Sequence, residues 1–553
     1  MKARLAIALS LVLGCGRTST ITPTPSTAGG SASTPGPVGA GAGMAGTAGT
    51  AEVPPTCDAS QGSASPLAAL NDVELSRSVR AVLLEPAPPR ESPEKHIGFE
   101  PVEHGPSSAL ALHERAHAIA LRVSQSAPQL LELAGCSPVT SEEEQCRGQF
   151  LDRFLRRAFR RPVTDEDRSD MGVVFDRGRE LGGDFASGAR AVIEVALQSP
   201  EFLYLVEQGN GVVRGSSTEL TSHEVAARLS YFLTGAPPDD ELAAIANLGT
   251  FDAVARREQA ERLIGSEPNR RQVQALYERW FSTRYAGAED DASFPPELAA
   301  AAVQETRRFI DDVTFDGAGT FRALLTEPST WVNEPLARLY GNLEVSGDEF
   351  QKIALDPRER GGIFTQPGFL RAGSRSNETD PIWRGNVVLS ALLCVKVPPP
   401  PDVSPVPPPV TGATRRAMFE ALTAGNACQS CHRDLNGAGF PFESYDAFGR
   451  FRDTENGAPI DASGELFAGN SAGKVGNALE MMVQIAQSET ARECFVTHWL
   501  EQSRRRAATP EDACALDRLK RAFAETDGNV TELMLQIATS PELGLRPNRE
   551  LAP

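Results

Sequence analysis

From about residue 107 onward the apolar positions of this chain recur at helical spacing. In 221–234, Val225, Leu229, Phe232 and Leu233 fall at i, i+4, i+7 and i+8, one face of a helix. Thr221 followed by Glu224 supplies a capping box at its start, and Gly235-Ala236-Pro237-Pro238 closes it. The same spacing predicts helices over 147–160, 184–198, 251–266, 268–283, 297–313, 381–394, 475–488, 491–504 and 529–539. Alternation of the strand kind is scarce, so the pattern predicts a mainly α, multi-domain helical body.

Two stretches resemble each other. Arg160-Arg161-Pro162-Val163-Thr164-Asp165-Glu166-Asp167 opens a segment that ends in Gln198-Ser199-Pro200-Glu201-Phe202. Arg505-Arg506, followed by Thr509-Pro510-Glu511-Asp512, opens one that ends in Thr539-Ser540-Pro541-Glu542-Leu543. Each reads as a helix hairpin capped by Thr and stopped by Ser-Pro. Residues 397–410 are so rich in Pro that they must run extended as a semi-rigid spacer.

The N-terminus departs from the helical pattern. Lys2 and Arg4 precede the apolar run Leu5 to Leu13, which stops at Gly14-Cys15, the form of an export signal. Val12-Leu13-Gly14-Cys15 resembles the bacterial lipobox, which predicts cleavage and acylation at Cys15. Gly16 after the cysteine favours the outer membrane, with the protein facing the periplasm or the cell surface. Residues 16–56 are almost wholly Gly, Ala, Ser, Thr and Pro and cannot bury a core, so 15–56 reads as a lipid-anchored tether spanning about 35 Å. The expected boundaries are a signal peptide 1–14, the tether 15–56, a degenerate helical region 57–135, a helical hairpin domain 136–210, a central helical domain 211–345, a module 346–460 holding the Pro-rich spacer, and a C-terminal helical domain 461–553.

Composition narrows the function classes. Across 553 residues, 54 Lys plus Arg stand against 73 Asp plus Glu, a net charge of −19 that repels phosphate backbones and argues against nucleic-acid binding. Arg153, Arg156, Arg157, Arg160 and Arg161 make a basic stripe, but acidic runs on either side predict a solvated, locally neutralised face. Gly469-Asn470-Ser471-Ala472-Gly473 matches the G-x-S-x-G nucleophile elbow but lacks the sheet that motif needs, and is read as a loop.

The motif that carries chemistry is Cys428-Gln429-Ser430-Cys431-His432. Two thiols one helical turn apart suit addition to the two vinyl groups of a haem, and the adjacent imidazole suits the axial position on its iron. The expected cofactor is haem c, held covalently by Cys428 and Cys431 with His432 as proximal ligand, in a cytochrome c-like C-terminal helical module. Met481, Met482 and His498 are the distal candidates, and an iron open on that side is the remaining option. Zinc at this motif would need two further ligands from Cys394, Cys494 or His498, and no second C-x-x-C or H-x-x-x-H is present. Among the other cysteines, Cys136 and Cys146 are close enough to predict a loop-closing disulfide; the partners of Cys57, Cys394, Cys494 and Cys514 are left open by spacing.

Taken together, the motifs resemble a family of large exported bacterial proteins built from the domains of unknown function 1587, 1595, 1592, 1588 and 1585. The marks are Cys136 and Cys146 followed by Arg157-Ala158-Phe159-Arg160-Arg161-Pro162, then Leu197 to Tyr204, Arg228 to Leu233, Asn333 to Ala337, Gly361 to Pro367, Arg384-Gly385, Leu393 to Pro401, and Cys428 to His432 with Gly439-Phe440 and Phe442-Glu443 to Arg450. The chain departs from that pattern in 66–106, which keeps a trace of the opening domain, at Asn436-Gly437 in place of Asp-Pro, and at Asp380 in place of Ser. The resemblance implies an exported, haem-bearing architecture. The expected role is electron transfer or haem-based redox chemistry at the cell envelope, with an unidentified redox partner and a membrane reached through the N-terminal lipid. The alternative is an envelope binding or scaffold protein. No catalytic base or nucleophile stands out.

Overall fold

The computed structural model describes residues 68–85, 106–138, 142–283, 294–341, 343–374, 377–398 and 412–547, all within one compact unit, Cys57–Pro553. The signal segment, Cys15, the tether and residues 399–411 of the Pro-rich spacer lie outside them. The chain is mainly α. Helices α1 (Asp72–Val82), α2 (Pro106–Gln125), α3 (Ala127–Ala134), α4 (Glu143–Phe159), α5 (Asp165–Gly182), α6 (Phe185–Ala196) and α7 (Pro200–Leu203) come first. Next are α8 (Ser222–Thr234), α9 (Asp240–Asn247), α10 (Ala253–Leu263), α11 (Glu267–Trp280), α12 (Pro296–Asp311), α13 (Phe321–Thr326) and α14 (Glu334–Leu339). The C-terminal part contains α15 (Pro367–Ala372), α16 (Pro381–Val387), α17 (Arg415–Leu422), α18 (Asn426–Gly439), α19 (Ala478–Gln487), α20 (Glu489–Arg504), α21 (Ala513–Glu525) and α22 (Val530–Thr539).

The helices sit where the spacing places them, with ends shifted by a few residues. Helix α8 carries the capping box, in which Glu224 N donates to Thr221 Oγ1 at 3.2 Å and Thr221 N to the Glu224 carboxylate at 2.8 Å, and Gly235 closes it in the left-handed region at φ 63°. Two of the expected helices end differently: α12 and α16 each run on into a π-helical segment, 312–316 and 388–392. Such a segment widens the turn and redirects the side chains that follow it.

Strands are short and pair locally, apart from two antiparallel joints. Ala68–Ala69 pairs with Tyr204–Leu205, and Leu545–Pro547 pairs with Ser217–Glu219, so both ends of the described chain are tied to its middle. Among the described residues, burial divides the interior into a large core drawn from residues 220–543, a second drawn from 82–203, and three smaller clusters. The large core takes side chains from both sides of the Pro-rich spacer, Leu389 and Phe442 among them, so the segment after the spacer shares its interior with the segment before it.

The internal similarity is structural. Arg160 and Arg505 both cap their helices in the left-handed region, at φ 57° and 55°. Arg161 makes a two-pronged bond to Asp167 at 2.6 and 3.1 Å, and Arg506 the same bond to Asp512 at 2.7 and 3.0 Å. In each copy that aspartate also accepts from the backbone N–H of Thr164 or Thr509, three residues before it. The basic stripe therefore divides: Arg153 and Arg156 are exposed, whereas Arg160 turns inward and donates to the carbonyls of Glu201, Phe202 and Tyr204. That corrects the reading of the whole stripe as a solvated face. The unpaired carbonyls at the end of α7 need a donor, and Arg160 supplies it.

Candidate functional site

The C-x-x-C-H motif occupies the first two turns of α18. Gly425 precedes the helix, and its carbonyl accepts from Cys428 N at 2.9 Å. Thr423 fixes the entry, since Asn436 Nδ2 donates to its Oγ1 at 3.0 Å and Gln429 Nε2 to its carbonyl at 3.3 Å.

The far half of α18 is clamped. It crosses α16 so closely that a Cβ on Gly385 would lie 2.2 Å from Leu435 O, and one on Gly439 would lie 1.9 Å from Pro381 O. On its other side Gly464–Leu466 passes so near that a Cβ at Gly437 would meet Glu465 O at 2.1 Å. Asp380, in place of Ser, is the N-cap of α16, its Oδ1 accepting from Trp383 N at 3.0 Å; both residue types cap helices well.

Beneath this crossing Arg384 is wholly buried and donates to the carbonyls of Leu370, Phe442, Tyr445 and Asp446, at 2.8 to 3.2 Å. Its guanidinium lies 3.8 Å from the buried Glu443 carboxylate, which also accepts from Thr379 Oγ1 at 2.8 Å. Burial lowers the Arg384 pKa and raises that of Glu443.

Cys428 is exposed and Cys431 partly buried, and both are free thiols. His432 is partly buried; its Nδ1 is enclosed yet has no hydrogen-bond partner among the described residues. The carbonyls of 439–441 do not reach that ring, because α18 continues unbroken to Gly439, and eight residues of helix carry that turn about 12 Å along the axis.

The other ligand candidates sit on two other helices, α19 and α20. Met481 and Met482 are completely buried in the large core on α19, which packs against the 3-10 turn 440–444 at the far end of α18. His498 on α20 has Nε2 3.2 Å from Ala391 O and Nδ1 3.6 Å from the Glu501 carboxylate, with its ring stacked on Trp280. Ser471 of the G-x-S-x-G match is buried and donates to Ser488 Oγ at 2.6 Å.

Cys136 and Cys146 are joined as the spacing predicts. Sequence reasoning left open a second bridge, Cys394–Cys494, whose halves are 100 residues apart; Cys514 is disulfide-bonded too. No local signal pairs residues so distant, and only the packing of 388–392 against α20 brings them together.

Fold and site define a mainly helical, multi-domain chain with one exposed C-x-x-C-H helix start. Four family models match it in succession: protein of unknown function (DUF1595) over residues 146–207, (DUF1592) over 220–341, (DUF1588) over 360–455 and (DUF1585) over 473–543. The chain has the multi-domain architecture of these four domains. The C-x-x-C-H motif and the α16 crossing fall within the DUF1588 segment, and parts of the two similar hairpins fall in the DUF1595 and DUF1585 segments. No curated protein and no solved structure matches the chain.

Proposed function

We propose that this is a cell-envelope lipoprotein with one covalent c-type haem, working in electron transfer or haem-based redox chemistry. The observation that carries the reading is the state of the motif. Two free thiols stand one turn apart at an accessible helix start, beside an imidazole whose buried Nδ1 has no partner, while the other described cysteines are disulfide-bonded. Thiols kept for thioether bonds and an imidazole kept for a metal would look like this. Cys428 and Cys431 would hold the haem and His432 its iron; bound haem supplies a one-electron couple.

The clamped half of α18 holds the motif at a fixed height above the large core, and Arg384 secures the turn that follows. Exposure of Cys428 leaves one edge of the site open to a partner protein. Attachment to the outer membrane through Cys15 is supported by the apolar run 5–13, Gly14-Cys15 and the low-complexity tether.

The test is expression in a host competent in cytochrome c maturation, followed by a pyridine haemochrome spectrum of the denatured protein and mass spectrometry of the mature N-terminus. One covalent haem per chain is expected, lost when Cys428→Ala and Cys431→Ala are combined. His432→Ala should retain covalent haem with an altered ligation spectrum. Met481→Ala or Met482→Ala should leave the spectrum unchanged and cost about 2–5 kcal/mol of stability, since both are packed in the core. A protein that carries zinc and no haem overturns the redox reading in favour of a binding or scaffold role. An unmodified terminus beyond residue 15 overturns the lipid anchor.

A further inference from the structure

The π-helical segment 388–392 lies between two sulfur-bearing elements. On one side it packs against α18, and on the other against α20. The α16 crossing pairs 381 with 439 and 385 with 435, so α16 and α18 run antiparallel, and the π-helical continuation of α16 stays in contact with α18. Two residues on, Cys394 bonds Cys494.

Three features distinguish this bridge from Cys136–Cys146. Each bridge has one buried sulfur, Cys494 or Cys146, but Cys394 is exposed where Cys136 is half-buried, so an incoming sulfur reaches Cys394 more readily. Cys394 follows the helix end at φ 53°, a left-handed position that ordinarily takes Gly, so the backbone that presents the sulfur is strained. His498 Nε2 lies 3.5 Å from Cys494 Sγ and 3.9 Å from Cys394 Sγ, with the Glu501 carboxylate behind its Nδ1 and the exposed Lys396 beyond. A plain structural staple needs no imidazole against its buried sulfur.

We propose that Cys394–Cys494 is a redox-active dithiol/disulfide couple served by His498, exchanging with an external dithiol. The deprotonated sulfur of that dithiol attacks Cys394 Sγ. The Cys394–Cys494 bond breaks, and its electron pair leaves on Cys494 Sγ, which takes the proton of His498 Nε2, an atom 3.5 Å away that also faces Ala391 O at 3.2 Å. The second thiol of the dithiol passes its proton to the imidazole and attacks the mixed disulfide, releasing Cys394, which is protonated from water. In sum the bridge gains two electrons and two protons, and the external dithiol becomes a disulfide. The direction reverses with an external disulfide. Buried Cys494 is the leaving and resolving sulfur, and exposed Cys394 is the one attacked.

The full-length protein is treated under native conditions with limiting dithiothreitol, quenched by alkylation at successive times, and mapped by peptide mass spectrometry. Cys394 and Cys494 should be labelled at least tenfold faster than Cys136 and Cys146, and oxidised dithiothreitol should restore the bridge. His498→Gln should slow that labelling about tenfold without changing the rate at Cys136 and Cys146 or the thermal midpoint, and added imidazole should recover part of it. Equal rates at the two bridges in the wild-type protein, or reduction of Cys394–Cys494 only in denaturant, overturns the proposal. So does a His498→Gln protein that is reduced as fast as wild type.

Discussion

Glu305 is a carboxylic acid buried away from the surface. Its Oε1 accepts from Thr330 Oγ1 at 2.7 Å and from Tyr340 Oη at 2.5 Å, and its Oε2 is buried without a partner among the described residues. Burial outweighs those two bonds and pushes its pKa up to about 7. Because the folded value lies above the unfolded one near 4.5, the stabilisation is fully present below about pH 4.5 and is lost as pH rises through about 7. At about 1.4 kcal/mol per pH unit the loss is on the order of 3 kcal/mol. Glu305→Gln mimics the protonated acid and should flatten this dependence. In urea unfolding the variant is expected to match wild type near pH 4.5 and exceed it at pH 8; a variant weaker than wild type at pH 8 would refute the assignment.

The crossing of α16 and α18 is a contact between elements that tolerates no side chain. A methyl group at 385 or 439 would overlap a carbonyl oxygen of the opposite helix, so the helices must separate or tilt. Gly385→Ala is expected to destabilise by about 1–3 kcal/mol, the range for overpacking, despite alanine's better helix propensity. Gly148, on α4 with open space around its Cβ position, is the control, and its change to Ala should be neutral or stabilising by about 1 kcal/mol. Chemical denaturation of both variants checks the contrast. The same Gly385→Ala substitution should also alter the alkylation rate of Cys431, which packs against the large core on α18.

Across the whole molecule, the two ends of the described chain are held by charges buried far apart in sequence. Arg505 donates to both oxygens of Glu74, 431 residues away, and to Ala69 O at 2.6 Å, while Glu74 itself is nearly inaccessible. In the first hairpin the corresponding Arg160 grips its own Ser-Pro turn. In the second, Arg228 takes over that duty, donating to Leu543 O at 2.9 Å and Leu545 O at 2.8 Å, while Arg504 donates to Glu542 O at 3.0 Å, and Arg505 reaches α1 instead. Arg505→Ala leaves a buried carboxylate without its cation and should cost about 3–5 kcal/mol. Arg257→Ala, which breaks the exposed Arg257–Glu261 pair, should cost under about 1 kcal/mol. Equilibrium unfolding of the two variants decides it, and limited proteolysis should show α1 released first in the Arg505 variant.

Whatever depends on neighbours within a turn or two was legible in the sequence. The caps at Thr221 and Thr164 and the helix over 222–234 arise from groups a turn or two apart, whose meeting helical geometry sets, and the Cys136–Cys146 bridge closes a loop only ten residues long. The C-x-x-C-H spacing likewise fixes two thiols and an imidazole on adjacent turns of α18 wherever that helix goes. Tertiary structure alone decided the rest. The Cys394–Cys494 bridge, the imidazole of His498 beside it and the Glu74–Arg505 clasp join residues that no local rule pairs, whereas the burial of Met481 and Met482 follows from their core-type positions in the 475–488 pattern. The paired residues meet because the helices must bury their apolar faces against one another, and that packing, not the spacing along the chain, chooses which polar groups are enclosed together.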